Sequence, residues 1–600
     1  MSPIDSAGPS RLGAAVGASM RTARSGRTAA RVPKLHATSA RSGQRQHHHH
    51  HHQQHRTLST TSTTSAAAVG AEPAAAMAQA YPGAAGAFGH LAARLSATQP
   101  CFGVKGDNVE ILSSPTIFHD TLLDMVKSAQ RRILISSLYI GTEEESLVDA
   151  VATALAARPG VRATFVLDYN RATRTGKGPG PVSTVHMLLP LLERFGDRVD
   201  VWLYRSPKLK GLMEKIVPPR YDEGWGTWHA KYYAVDDDVV LSGANLAESY
   251  FTNRQDRYIR LGPHPALLSY LSSITRLLSD YSYKVIAHPR RGAIGTHGVA
   301  LGACTGGSDA AAVWREASLP PRGWATHAQA TLRAFQQAWR ASNGVRSRDA
   351  ASAGADTWFW PVVQAGVLGL REEEAALGKV FNAVKEARDV EVDLTSGYFG
   401  LYKAYKRAVI ESPAPVRVIA ASPKVTGSPP LYPFRSLGSE DATFADRSSQ
   451  ANGFYGSKGL SGLIPEGYTL LERRFHASAE RAGRLWDEQK HTGVRLQEWE
   501  RDGWTYHAKG LWLSPPGTDA DPFLTFIGSS NLSTRSLNLD TELSLVLATS
   551  SESLRSGLGH ELTGLREHAH DVGKQTWALP ERKVSMLATV LVALGIEGML

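Results

Sequence analysis

The chain has 600 residues, 42% of them hydrophobic and 20% charged, which is the composition of a globular protein of about two to four folding units. Two cysteines, Cys101 and Cys304, exclude a disulfide framework and a four-cysteine zinc site. The formal net charge of +10 is concentrated: residues 1–72 carry +7 and the other 528 only +3, which argues against a nucleic-acid groove.

Residues 1–72 are rich in Ser, Thr, Ala and Arg and nearly free of acid. "RTARSGRTAARV" spaces its arginines three or four residues apart, so one helical face would be cationic. This predicts a disordered mitochondrial transit leader, with chloroplast import or a plain basic tail as the competing readings. The run His47–His52 reads as low-complexity filler, with metal binding the lesser alternative. Residues 73–99 are expected to be a linker, with order beginning near Cys101.

From there strands and helices alternate. "NVEILSS", a helical "PTIFHDTLLDMVKSAQRR" and the apolar run "ILISSLYI" lead to a helix at "EEESLVDAVATALAA" and a strand at "VRATFVLDY". A further helix, "TVHMLLPLLERF", precedes the strand "VDVWLYRSP". This alternation predicts an α/β domain over 100–290. Residues 291–355, rich in Gly, Ala and Ser, read as a linker or insertion. The pattern restarts at "EEEAALGKVFNAVKEA" and "VEVDLTSGYF", giving a second α/β domain over 356–575, with 424–452 as a long surface loop. The end, 576–600, holds "VSMLATVLVALGIEGML", which is too short to span a bilayer and carries Glu597; it reads as an interfacial or core helix.

One phrase is written twice. "WHAKYYAVDDDVVLSGANL" begins at Trp228, and "YHAKGLWL" followed by "FIGSSNL" begins at Tyr506. Each copy has His and Lys two residues apart, His229 with Lys231 and His507 with Lys509. Each reaches an asparagine, Asn245 or Asn531, and then, eleven residues on, an acid, Asp256 or Glu542. The spacing of two on a predicted strand places His and Lys on the same side. If the two units pack about a pseudo-twofold axis, both pairs converge on one pocket suited to a phosphate, with Lys supplying charge and Ser529, Asn245 and Asn531 neutral donors. Two histidines at one phosphorus predict a division of labour: one attacks, the other handles protons, and Asp256 and Glu542 each hold the far ring nitrogen of a histidine. No metal or other cofactor is expected, since the lysines carry the positive charge.

H-x-K-x4-D followed by a G/S-x-N turn, present twice, resembles the signature of the phospholipase D superfamily. The first copy is complete with His229, Lys231 and Asp236; the second has Ser514 where the aspartate would stand. "SGANLAESYFTNRQDRY", "RRILISSLYIGT", "LLPLLERF", "NGFYGSKGLSGLIP", "GWTYHAKGLWL" and "FIGSSNLSTRS" are similar to the phosphatidylglycerophosphate synthases of eukaryotic mitochondria. The resemblance covers roughly 100–290 and 355–600. It implies two phospholipase D-like α/β domains with the active site between them. It also implies phosphatidyl transfer from CDP-diacylglycerol to sn-glycerol 3-phosphate, giving phosphatidylglycerophosphate and CMP, the committed step toward phosphatidylglycerol and cardiolipin. By position, His229 would be the nucleophile and His507 the acid for CMP and base for the glycerol hydroxyl. Expected partners are those two substrates and, peripherally, the matrix side of the mitochondrial inner membrane, with no nucleic acid.

Weaker candidates surround this core. Arg254 and Arg257 are expected as phosphate ligands. Arg171, Arg174 and Lys177 form a basic loop that would hold the second phosphate or the diphosphate, or is simply solvated. "SSLYIGTEE" around Gly141 is a faint candidate for nucleotide contact. Lys208, Lys210 and Lys215, set among Leu, Met and Ile, suit an anionic membrane surface or a plain amphipathic helix. The competing functions are another phospholipase D-type transferase or lipase of cardiolipin-synthase type, a nuclease, and a non-catalytic lipid-binding scaffold.

Overall fold

The computed structural model describes residues 70–593, apart from 177–179, 210–216, 218–221, 291, 317, 322, 424–462 and 518–519. The leader, its histidine run, Lys177, Lys210, Lys215 and the 424–452 loop therefore lie outside the described residues.

Two ten-stranded sheets dominate, and their central strands repeat one order. In the first sheet the strands β1 (Arg132–Ser136), β2 (Arg162–Asp168) and β3 (Val199–Tyr204) run parallel, joined by helices. On the other side of β1 lie antiparallel β4 (Tyr232–Val235), β5 (Asp238–Ser242) and β6 (Tyr258–Leu261). In the second sheet β7 (Glu391–Ser396), β8 (Val416–Ala421) and β9 (Val494–Trp499) are parallel. Antiparallel β10 (Lys509–Ser514), β11 (Leu524–Gly528) and β12 (Thr541–Thr549) follow on the other side of β7. The two repeated phrases thus supply β4–β5 and β10–β11, equivalent hairpins of the two sheets. The strands are nearly continuous runs of Val, Ile, Leu, Phe and Trp because helices and the opposite sheet bury both faces.

The described residues belong to one compact unit, 63–600, and several elements cross the expected boundaries. Phe102–Val104 pairs with Thr357–Ala365 in the second sheet, whereas Val109–Ile111, a few residues later, pairs with β6 in the first. Residues 291–355, expected as a linker or insertion, add Val299–Ala300 and Ala310–Trp314 to the edge of the first sheet and two helices beyond them.

Order starts earlier than Cys101. Residues 73–99 are not a linker: they form helices α1 (Ala71–Ala80) and α2 (Ala85–Ser96). Met77, Phe88, Leu91 and Leu95 recur at helical spacing and are buried with Trp358, Trp360 and Phe523. The Ala-rich composition that reads as a tether is also a strong helix former once an apolar stripe has a core to enter. Toward the end of the chain, α3 (Leu463–Arg481) packs against α4 (Met586–Ala593). Among the described residues no helix is long and apolar enough to cross a membrane.

Candidate active site

The repeated phrases meet. His229 lies just before β4, and the chain there docks on the strand that carries Glu542. Trp228 bridges Thr541 in parallel register, the His229 amide donates to the Thr541 carbonyl at 2.9 Å, and the Thr541 amide donates to Thr227 at 2.9 Å. The second copy repeats the arrangement: Thr505–Tyr506 pairs in parallel with Arg254–Gln255, and the His507 amide donates to the Gln255 carbonyl at 2.8 Å. Each histidine therefore sits one residue beyond a bridge whose partner precedes an acid by one residue.

The side chains follow from this register. His229 Nδ1 is 2.8 and 2.9 Å from the two oxygens of Glu542, and His507 Nδ1 is 2.6 Å from Asp256 Oδ2. Each acid holds the histidine of the other copy. Lys231 Nζ donates to the His229 carbonyl at 2.7 Å and Lys509 Nζ to the His507 carbonyl at 2.6 Å. Each lysine keeps N–H bonds for a ligand. Lys509 Nζ also lies 2.8 Å from His507 Nδ1, so that nitrogen faces an ammonium and a carboxyl together, whereas His229 Nδ1 faces a carboxylate alone. Gly243 is demanded by this crowding: a Cβ there would lie 2.6 Å from Lys509 Nζ and 2.7 Å from Asp256 Oδ1.

All six groups are buried, and burial sets their charge states. Burial lowers His229, with Lys231 adding to the effect and Glu542 opposing it. Burial also holds His507 well below the usual imidazole range, reinforced by Lys509, Arg254, Lys231 and His229. The lysines fall by burial, Lys231 to about 7 with the charge of Lys509 adding to it, and Lys509 to about 8 with the charge of Arg254 adding to it. The acids diverge. Burial raises Asp256 in spite of Lys509. Burial would raise Glu542 too, but His229, Lys231 and the Ser529 hydroxyl prevail and hold it low. Two reluctant ammonium groups beside two imidazoles held below their usual range form a cluster that gains by meeting a phosphate anion.

The asparagines flank this centre. Asn245 Nδ2 donates to the Tyr250 hydroxyl at 2.9 Å, and Oδ1 of both Asn245 and Asn531 is buried without a protein partner. Arg254 is buried with its guanidinium 4.0 Å from the Tyr250 ring centroid, and its charge is felt at His507.

Other candidates are placed elsewhere. Asp236, expected among the catalytic residues, stands in the β4–β5 turn with φ 52°. There it accepts from the amides of Gln130, Arg131 and Arg132 at 2.7, 2.8 and 3.1 Å. Seven residues of extended chain, roughly 20 Å, separate it from His229. Arg257 does not face the pocket. Its guanidinium donates two parallel hydrogen bonds to Glu561 at 2.9 and 2.8 Å, donates to Phe526 O and Thr525 Oγ1, and lies 3.7 Å from the Trp512 ring centroid. Four of its five N–H groups are spent on protein partners and its charge is matched by Glu561. Ser529 spends its proton on Glu542 Oε2 at 2.5 Å, so it supports the acid. The Gly141 amide donates to the Leu246 carbonyl at 2.7 Å. Arg171 and Arg174 pair with Glu223, and Arg171 also stacks 4.2 Å from the Tyr139 ring centroid.

Several participants escape the motif reading. The Tyr250 and Tyr398 rings pack edge-on against His507, with centroids 5.2 and 5.5 Å away. Tyr398 and Tyr139 follow equivalent strands, β7 and β1, in "SGYF" and "SLYI", a match that longer alignment of the copies would have found. Asp540 accepts from the amide and hydroxyl of Thr227, and Asp168 from the Trp228 amide, all at 2.9 Å, fixing the approach to His229. Glu373, bonded by Ser530 and Tyr405, is pushed up to about 8 by burial and by Glu542.

The chain is 33% identical over 514 residues, covering 81% of it and 82% of the relative, to the mitochondrial CDP-diacylglycerol–glycerol-3-phosphate 3-phosphatidyltransferase of Bos taurus. It is 31% identical to that of Homo sapiens over 81% of the chain and 82% of the relative. The Schizosaccharomyces pombe protein of the same name is 30% identical over 80% and 93%. No family model matches. Among solved structures, a phosphatidylserine synthase of Haemophilus influenzae Rd KW20 shares the fold, with a TM-score of 0.55 at 17% identity over 85% of this chain and 99% of that one.

Proposed function

The chain belongs to the CDP-diacylglycerol–glycerol-3-phosphate 3-phosphatidyltransferases, and from that premise we propose that its two crossed histidine–carboxylate pairs carry out the transfer in two steps through a phosphatidyl-histidine. The reaction takes the phosphatidyl group of CDP-diacylglycerol to glycerol 3-phosphate and yields phosphatidylglycerophosphate and CMP.

In the first step, Nε2 of His229 attacks the phosphorus on the diacylglycerol side. A P–N bond forms, the P–O bond to CMP breaks, and the Nε2 proton of His507 passes to the departing oxygen while the protonated Asp256 supplies one to the ring at Nδ1. In the second, a hydroxyl of glycerol 3-phosphate gives its proton to His507 while its oxygen displaces His229. Lys231 and Lys509 balance the charge on the phosphoryl oxygens, and the amides of Asn245 and Asn531 offer neutral contacts. The observation that carries the reading is the unequal environment of the two imidazoles. Glu542, held low, fixes the Nδ1–H tautomer of His229 and leaves Nε2 as a lone-pair donor. Asp256, pushed up beside His507 and Lys509, is the acid that can share a proton with the acid–base histidine.

The division into units 100–290 and 356–575 around this pocket is part of the same proposal, supported by the repeated strand order. The mammalian and avian relatives are named mitochondrial, which supports a mitochondrial location for this chain; to this the proposal adds peripheral work on the matrix side of the inner membrane. The test is to mix the protein with CDP-diacylglycerol labelled in the phosphatidyl phosphorus, quench without glycerol 3-phosphate and map the acid-labile adduct. A label on His229 is expected. A label on His507 reverses the roles, and direct transfer without any adduct ends the two-step scheme.

A further inference from the structure

The last described helix carries an apolar face that none of the described residues covers. In α4, Val592 is buried against Tyr468 and Leu471 of α3, and Ala588, one turn earlier, is buried as well. On its other side Met586 is 84% exposed, Leu587 53% and Val590 47%. Positions i, i+1 and i+4 share one helical face, so three large apolar side chains meet water together. The other exposed large hydrophobics among the described residues include Ile117, Val299 and Val345, which are far apart in sequence and on separate elements.

The helix is firmly mounted. Glu466 of α3 accepts from the Ser585 amide at 2.7 Å, and the Ser585 hydroxyl caps the Ala588 amide at 3.2 Å. Just before it, Arg582 is buried and donates two hydrogen bonds to Glu498, one to each carboxylate oxygen. A frayed tail would show none of these ties. Lys583, at the start of the helix, and Arg473 and Arg474, on α3, are exposed cations.

The inner side of this mount leads to the reacting groups. The Tyr468 ring lies 6.1 Å from that of Tyr398, and Tyr398 lies 5.5 Å from His507, centroid to centroid. The apolar face is therefore the outer side of a support whose inner side is two ring contacts from an active-site imidazole. A diacyl substrate keeps its chains in the bilayer while its phosphorus must reach that imidazole, so the opening has to be held at the lipid surface.

We propose that α4 seats the chain on a lipid bilayer, with Met586, Leu587 and Val590 entering the headgroup region and Lys583, Arg473 and Arg474 facing anionic lipid. This rests on the transferase reading and names the surface through which that site meets its substrate.

The test uses the full chain and the triple variant M586E/L587E/V590E. Co-sedimentation with vesicles of phosphatidylcholine and phosphatidylglycerol is expected to fall about tenfold or more in the variant. Turnover of a short-chain, water-soluble CDP-diacylglycerol is expected to stay within about twofold, which also shows that the variant folds. Unchanged sedimentation overturns the proposal. So does equal loss of short-chain turnover, which would make the face part of the folded site. Dimerisation of the native chain that the variant abolishes, with sedimentation unaffected, would make the face an interface between copies instead. Sedimentation needs no turnover: if the native chain binds vesicles, the variant does not, and neither releases CMP, the docking surface stands and the transferase reading falls.

Discussion

The imidazole of His229 is held by the carboxylate of Glu542, 313 residues further along the chain. Replacing that acid by its amide keeps the shape but removes the charge that fixes the tautomer. Glu542→Gln is expected to lower kcat by about 10² to 10⁴-fold with little change in KM. CMP release under saturating substrate checks this; a loss below threefold or so would mean that Glu542 does not orient the nucleophile.

Asp256→Asn should act on the other half of the cycle. Exchange of labelled CMP into CDP-diacylglycerol, which needs only the first step and its reverse, is expected to fall less than net transfer to glycerol 3-phosphate: both use His507, but a phosphate oxygen of CMP leaves and returns with little proton help, whereas the glycerol hydroxyl attacks only as it loses its proton. Equal losses in both assays would refute the assignment of separate roles.

The alkaline side of the pH profile belongs to the lysines. Burial brings Lys231 to about 7 and Lys509 to about 8, below the usual ammonium range, so their charge is lost as pH rises through that window. The acid side belongs to His229, lowered by burial and therefore neutral at and above its usual range. The profile of kcat/KM, which reports the free enzyme, should fall from pH 7 to 8 upward. The profile of kcat should fall later, since bound diphosphate stabilises both ammonium groups. A kcat/KM that stays flat past the ordinary lysine range would count against charged lysines in the site.

Arg257 and Glu561 tie the first copy to the second. Arg257→Met leaves the largely buried Glu561 carboxylate with the Trp512 indole N–H but no cation and is expected to cost about 3–5 kcal/mol, read as an earlier urea midpoint. Replacing Glu561 by Leu as well should recover part of that loss. If instead the single variant is stable and its KM for CDP-diacylglycerol rises, Arg257 is a substrate ligand after all.

Asp236 is expected to matter for stability and not for rate. Asp236→Ala deprives three backbone amides of their acceptor and leaves a left-handed backbone without compensation, at a cost of about 1–3 kcal/mol. Steady-state kinetics should be unchanged; a hundredfold drop in kcat would return Asp236 to the catalytic set.

What could be read beforehand was whatever is local. The alternation of helices and strands, the duplicated His–Lys spacing and the acid eleven residues past each asparagine are all short-range patterns. The crossing of the two acid–histidine pairs was hidden because it depends on which strand of one copy docks on which loop of the other. Arg257 misled for the same reason: beside "NRQD" it reads as a phosphate ligand, and only Glu561 and Trp512, far downstream, absorb its charge. Gly510 records that packing, since a Cβ there would lie 2.2 Å from the Arg257 guanidinium. Asp236 sits in the motif by spacing alone; a run of Asp236–Asp238 after "YYAV" is also what a tight hairpin turn needs.

The exchange of carboxylates has an outcome for how such a molecule can exist. A polypeptide with one copy would carry an imidazole whose acid lies on another molecule, so its activity would fade on dilution. With both copies in one strand, the effective concentration of each for the other is set by tethering, and the reaction proceeds at the same rate per molecule however scarce the protein becomes.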